Sequence, residues 1–359
     1  MLKILDRYII RKFLGTFFFS LTLIVLIAVI FDISEKLDDF IERKAPLSAI
    51  VFDYYFNFIP YFANLFAPLF IFISVIFFTA KMASNTEIIA ILNSGVSFRR
   101  MLYPYFLSAG ILAALSFYFN GWVIPHSNKI KLQFENTYIK NPVEFKDRNI
   151  HRQISPGHFI YMESYNNKDN IGYRFSLEQI ENRQRIWYLN SDRIVWDSTT
   201  TQWKIENYFI REIDGYKEVI RTGMRLDTSL NLKPADFKRR LNIIEAMDTP
   251  ALSSFIEEEK LHGSSNINSY LVEKYRRVAI PFSTFILMLI GVSLSSRKTR
   301  GGIGAQLGLG ITISFAYILF MQVSNTFAIN GNIPPMIAVW IPNIVFAGIA
   351  LYLLKVAPK

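Results

Sequence analysis

The sequence predicts a multi-pass α-helical membrane protein with six transmembrane helices and one external domain inserted between the third and fourth. Three observations predict it: six long apolar runs, a one-sided distribution of basic residues around them, and a polar, strand-like stretch in mid-chain. Composition sets the background. The chain is 51% hydrophobic and 19% charged, where soluble domains average roughly a quarter charged. Its 32 Phe and 18 Tyr suit lipid-facing and interfacial surfaces better than a soluble core. Cysteine is absent, which excludes disulfides, thiolate chemistry and cysteine-ligated metals. Much of the net charge of +10 flanks apolar runs, so it reads as a topology signal and not as a nucleic-acid surface.

A helix needs roughly 20 apolar residues to cross a bilayer. The runs are Phe13–Phe31, Ile50–Ala80, Leu102–Ile124, Val278–Ser295, Ile303–Phe327 and Pro335–Leu354. The first has no small-residue cleavage site and reads as a retained anchor. The second exceeds ordinary bilayer thickness and holds Pro60 and Pro68, so it is expected to tilt, kink or project past the lipid. Twelve basic residues fall on one side: Lys3, Arg7, Arg11 and Lys12; Lys81, Arg99 and Arg100; Arg297, Lys298 and Arg300; Lys355 and Lys359. The opposite short loops carry Lys36, Arg43 and Lys44, outnumbered by Asp32, Glu35, Asp38, Asp39 and Glu42. The positive-inside bias predicts cytoplasmic termini and an external middle region. The acidic 32–42 loop reads as a solvated connection.

From Pro125 to about Asp227 the texture changes. Strand-like runs cover His158–Glu163, Arg185–Leu189, Arg193–Trp196 and Trp203–Arg211, separated by turn-prone Asn166–Asn170, Asn190–Asp192 and Asp214–Gly215. Several short strands suggest a β-sandwich or an incomplete barrel. Its apolar positions are either plain core or an open interior that receives acyl chains or a partner strand. Helical patterns follow over Ala235–Asp248, Ala251–His262 and Ile267–Arg277, with Pro250 at the start of the second and Gly263 at its end, and read as connectors back to the membrane.

Catalytic and cofactor signatures are missing. Gly301-Gly302-Ile303-Gly304 lacks the lysine and preceding strand of a phosphate loop and reads as a turn feeding the fifth run. His151 and His158 have no metalloprotease spacing, and no nucleophile elbow occurs. No catalytic, cofactor-binding or metal-ligating residue is assigned, and uphill transport would draw on a separate subunit or an ion gradient. The stretch Ser84–Gly95 is the partner-binding candidate. Ser84 and Glu87 have capping-box spacing, Ile88, Ile91 and Leu92 share a helical face, and Gly95 can end the helix. Such a helix either inserts into a groove of a soluble partner or is an ordinary interfacial turn. Lys274, Arg276 and Arg277, just before the fourth run, oppose the positive-inside trend. They could clamp phosphates of an anionic substrate or anchor the helix to lipid phosphates.

Taken together, the chain resembles the LptF/LptG permease family of the bacterial lipopolysaccharide exporter along its entire length. Leu5-Asp6-Arg7-Tyr8-Ile9 resembles the family's opening segment, more on the LptG side. Glu87-Ile88-Ile89-Ala90-Ile91-Leu92-Asn93-Ser94-Gly95 resembles its coupling helix, Arg276-Arg277 with Pro281 its approach to the fourth span, and Trp340-Ile341-Pro342-Asn343 its final-span signature. The resemblance implies a non-catalytic subunit, without cofactor, in the bacterial inner membrane. Its implied partners are a second six-span permease, a soluble LptB-like ATPase dimer, an LptC-like periplasmic bridge protein and lipopolysaccharide, with no nucleic acid. It also implies that the inserted domain is a periplasmic β-jellyroll-like path for acyl chains whose edge continues into the bridge protein. Glu87, Ile88, Ile91, Leu92 and Gly95 would meet the ATPase, Lys274, Arg276 and Arg277 the substrate, and the first and fifth spans would form lateral gates. The expected organisation is residues 1–124 with spans one to three and a coupling helix at 84–95, residues 125–275 as the periplasmic domain with return connectors, and residues 276–359 with spans four to six. Two other classes compete: a self-contained secondary transporter, which would need a broken helix or a midplane carboxylate, and a membrane-anchored assembly protein whose external domain binds partners.

Overall fold

The computed structural model describes residues 3–139, 146–166, 168–181, 184–215, 217–230, 232–234, 244–261, 263–264, 266–297 and 302–357. They fall into two compact units, one of Met1–Ile139, Glu245–Pro250 and Asn268–Lys359, the other of Lys140–Ile244 and Ala251–Ile267. Among the sequence expectations, most of the connector helix at 235–248 (residues 235–243) lies outside the described residues, as do His262, Lys298, Arg300, Gly301 and Lys359.

The first unit is helical. All six expected spans are helices long and apolar enough to cross a membrane: α1 (Ile4–Glu42), α2 (Leu47–Ser84), α4 (Phe98–Tyr138), α6 (Ile267–Ser295), α7 (Gly302–Ile329) and α8 (Pro335–Val356). A short helix α3 (Glu87–Asn93) links α2 to α4. Several spans overrun their apolar runs. At 1.5 Å per residue the 39 residues of α1 reach about 58 Å, against a hydrocarbon core of about 30 Å. The third span continues past residue 124 through a π-helical stretch, Phe119–Val123, to Tyr138. Pro125 has no N–H for the carbonyl four residues back, at Gly121, and the wide turn before it avoids the clash. The Thr249 hydroxyl faces that carbonyl at 3.5 Å, and the Asn120 amide donates to the Ser116 carbonyl at 2.8 Å. Ile267–Arg277, expected as a separate connector, is the first part of α6, because no helix breaker separates it from the span before the tolerated Pro281.

Small residues let the spans approach closely. A Cβ on Gly310 of α7 would sit 2.3 Å from Ile76 Cδ1, and one on Gly291 of α6 would sit 2.9 Å from Val75 Cγ1. Both faces belong to α2, which is thereby gripped by two later spans. Buried Asn343 of α8 accepts from the Tyr317 hydroxyl (2.8 Å) and donates to the Ala279 carbonyl (2.9 Å), tying the last three spans together in a region with no water to substitute.

The second unit holds one antiparallel sheet of six strands: β1 (Lys146–Ser155), β2 (His158–Asn166), β3 (Ile171–Glu181), β4 (Gln184–Asp197), β5 (Gln202–Asp214) and β6 (Lys217–Thr228). The expected β-jellyroll-like domain is not what forms. The strand order is β1-β2-β3-β4-β5-β6, a simple meander open at both edges, whereas a jellyroll needs two sheets joined by crossing connections. The expected turn at Asn190–Asp192 is also corrected, since those residues lie inside the single long β4.

A crease crosses this sheet at mid-strand. Asn149, Glu163, Arg174, Asp192, Asn207 and Met224 face one another on successive strands, and the ladder lapses there without a change of register. On alternate strands the crease residue is left-handed: Asn149 (φ 57°), Arg174 (φ 49°) and Asn207 (φ 50°). Inward parity switches there. In β5 the inner side chains are Trp203 and Ile205 before the crease and Tyr208 and Ile210 after it; in β4 they are Trp187 and Leu189, then Ile194 and Trp196. The core so enclosed centres on Trp203, Tyr165 and Phe175, and Trp203 Nε1 donates to the Leu232 carbonyl at 2.8 Å. Helix α5 (Thr249–Leu261) carries buried Glu259, which meets Arg152 of β1 at 2.7 Å, and Gly263 (φ 64°) follows it as expected.

Candidate functional site

The membrane unit contains two clusters of polar chemistry. The first surrounds α3. Glu87 opens that helix, but not through the expected capping box: Ser84 remains inside α2, and the N-cap is Thr86, left-handed at φ 62°, with no side-chain cap bond. The Glu87 carboxylate instead accepts from the Tyr8 hydroxyl of α1 (3.0 Å) and from the Asn85 amide (3.2 Å). Ile88 is buried, and Ile91 and Leu92 pack partly buried against the same core of α1, α2 and α4 residues. The three apolar residues do share a face, and it is turned inward. Ile89, Ala90 and Asn93 are the exposed face of α3. Gly95 (φ 84°) closes the turn, its N–H donating to the Leu92 carbonyl at 3.1 Å.

Beside this helix, buried Asp6 receives both terminal nitrogens of Arg100 at 2.7 Å and the Lys3 backbone N–H at 2.9 Å. Nothing in the spacing of Asp6 and Arg100, 94 residues apart, announces this fork-to-fork pair.

The second cluster is a cleft of about 80 Å³ lined by Tyr61, Asn64, Asn120, Asn128, Glu245, Glu273, Arg276 and Arg277 among others. Of the three predicted basic residues, Arg276 and Arg277 line it and Lys274 does not. Arg277, only 4% exposed, is spent internally: Nε donates to Glu273 (3.2 Å) and Nη1 to the Met247 carbonyl (2.8 Å). Arg276 pairs with Glu273 at 2.7 Å but keeps about a third of its side chain exposed (35%). Asn128 is 2% exposed; its amide N–H donates to the Glu245 carbonyl, while its Oδ1 has no partner among the described residues. Burial, reinforced by the charge of Glu273, pushes the Glu245 carboxyl above its ordinary range. Two carboxylates and two guanidiniums leave the cleft electrically balanced, with one free acceptor.

Next to it lies an apolar cavity of about 420 Å³ between α1, α2, α4 and α6, walled by residues such as Phe17, Leu21, Ile71 and Leu112. Asn64, Pro68 and Ile280 line both spaces. At that junction the Asn64 and Asn120 amides bond each other (3.0 Å), and the Ser116 hydroxyl donates to Asn64 at 3.0 Å. Sequence reading missed Asn128 and Glu245, because neither sits in a motif or near the basic cluster in sequence.

Lys36, in the 32–44 region, is less available than the sequence suggests. Lys36 contacts Asp32 and the Tyr54 hydroxyl and lies 4.8 Å over the Tyr54 ring. Tyr55 donates to the same aspartate at 3.1 Å, and Phe40 packs edge-on against Tyr54, Tyr55 and Phe134.

The family model for the lipopolysaccharide export system permease LptF/LptG matches residues 7–356. No curated protein matches the chain. The match spans nearly all of the chain, which belongs to this permease family.

Proposed function

From that membership we propose that the chain is the transmembrane permease subunit of an ATP-driven exporter, which extracts lipopolysaccharide from the periplasmic leaflet of the inner membrane and passes it by way of the sheet unit toward the outer membrane. The family match over residues 7–356 carries this reading. In it both termini and α3 face the cytoplasm and the sheet lies in the periplasm, as the basic flanks favour. A soluble ATPase dimer docks on α3 through Glu87 and the exposed Ile89, Ala90, Asn93 and Gly95, with Ile88, Ile91 and Leu92 anchoring α3 to the spans from within. A second six-span permease completes the membrane part, and an LptC-like protein receives the lipid. In this reading Arg276 meets a lipid phosphate, which its partly exposed side chain supports, while Arg277 holds the cleft together. Pro60 and Pro68 lie in an uninterrupted helix, which speaks against the discontinuous span of a secondary transporter.

Affinity isolation of the full chain from its native membrane in mild detergent tests the proposal. A soluble ATPase and a second homologous six-span chain are expected with it. Isolation of the chain alone, together with ion-driven transport when it is reconstituted by itself, would overturn the subunit assignment.

A further inference from the structure

The balanced cleft and the apolar cavity beside it have complementary chemistry. The cleft offers one buried acceptor without a donor among the described residues, Asn128 Oδ1, beside the half-buried Glu245 carboxylate. A buried acceptor without a partner is costly, so its natural complement is an N–H donor. An ammonium also answers the charge of Glu245, which makes it a better complement than a neutral donor. Arg276 lines the same cleft with about a third of its side chain exposed (35%), and its guanidinium suits a phosphate. At about 30 Å³ each, the cleft holds the equivalent of two or three waters, which is room for an ammonium with its two-carbon arm, the phosphate staying at the rim, and not for a sugar. By the same measure the cavity of about 420 Å³ takes on the order of fourteen methylene groups, one acyl chain. Asn64, Pro68 and Ile280, common to both walls, join the polar end to the apolar one.

We propose that this single chain holds one bilayer glycerophospholipid with a phosphoethanolamine headgroup. Its ammonium sits on Asn128 Oδ1 and the Glu245 carboxylate, its phosphate on Arg276, and one acyl chain in the cavity between α1, α2, α4 and α6. A glycolipid cargo with many acyl chains would need several such cavities, so the occupant is a resident phospholipid. The inference rests on the reading of Arg276 as a phosphate contact and is independent of the direction of transport and of the ATPase partner.

The full chain, with whatever copurifies, is delipidated in mild detergent and offered mixed micelles of phosphatidylethanolamine, phosphatidylcholine or phosphatidylglycerol. Bound lipid is counted by native mass spectrometry. One phosphatidylethanolamine per chain is expected, preferred about tenfold over phosphatidylcholine, whose quaternary nitrogen has no N–H to donate, and over phosphatidylglycerol, which has no cation. Glu245→Gln should erase that ranking, and Arg276→Gln should weaken all three lipids alike. Ala67→Phe, which fills the cavity, should lower total occupancy and leave the ranking intact, so a headgroup effect is separable from a packing defect. Equal retention of phosphatidylethanolamine and phosphatidylcholine by the native chain overturns the ammonium site. So does an unchanged ranking in a Glu245→Gln chain whose melting temperature is normal. Displacement of the phospholipid by stoichiometric lipopolysaccharide overturns the resident-lipid assignment. Failure to isolate an ATPase bears on the export reading alone, because the lipid ranking is measured on the chain itself.

Discussion

Two ionic clusters of the membrane unit, Asp6–Arg100 and the group around Glu273, are built from the same groups and finish in different states. At Asp6–Arg100 one carboxylate meets one guanidinium through two parallel bonds, and a backbone N–H donates to it as well. Around Glu273 two arginines share one carboxylate, a second carboxylate stands half-buried in the same cleft, and among the described residues an amide oxygen is unanswered. A saturated cluster fixes elements to each other; an unsaturated one has capacity left for something else. Within the cleft the same division recurs between Arg277, fully engaged, and Arg276, half-engaged.

The sharpest way to break this comparison is Arg277→Gln. It leaves Glu273 with Arg276 alone and removes the donor to the Met247 carbonyl, and a loss of about 3 kcal/mol is expected in detergent unfolding. Arg276→Gln should melt close to the native chain yet crosslink less to phosphorylated lipid; equal crosslinking with normal insertion would leave helix anchoring as its role. Arg100→Gln should lower the melting temperature more than Arg276→Gln does, and the reverse order would erase the distinction between latch and site. Glu87→Ala should weaken copurification with the ATPase or its stimulation by roughly tenfold, the scale of a charged hydrogen bond; unchanged coupling would remove Glu87 from that role. The smallest effect is a pH dependence. The free Glu245 carboxyl titrates above its ordinary value of 4.5, and an ammonium needs it ionised. Retention of phosphatidylethanolamine should therefore be full well above the raised value and decline as pH falls through it. Glu273, Arg276, Arg277, Lys131 and Tyr61 also face the group, and Glu245→Gln should flatten the profile.

The spans were legible because hydropathy over twenty residues is a strong signal, but their ends were not. Helical hydrogen bonding ignores the lipid boundary, so α1 and the third span run on through amphipathic sequence to Glu42 and Tyr138. In the sheet, alternation marked the strands wherever it held, and failed at the crease. In β4 the inner set passes from odd positions at Leu189 to even ones at Ile194, so one strand read as two with a turn at Asn190–Asp192. The jellyroll expectation came from family resemblance, since short strands alone do not encode whether a sheet crosses over. In the site, Arg276 and Arg277 announced themselves as misplaced charges. Asn128 and Glu245 could not, because an unsatisfied oxygen is a property of what surrounds it in space.

The meander order has a consequence for how the chain is made. Every strand pairs only with its neighbour in sequence, so the sheet can assemble hairpin by hairpin with short loops to close. Its strands end at Thr228, before the fourth span begins at Ile267. As the chain emerges from the ribosome, the strand pairing of this unit can be complete while the last three spans are still being synthesised.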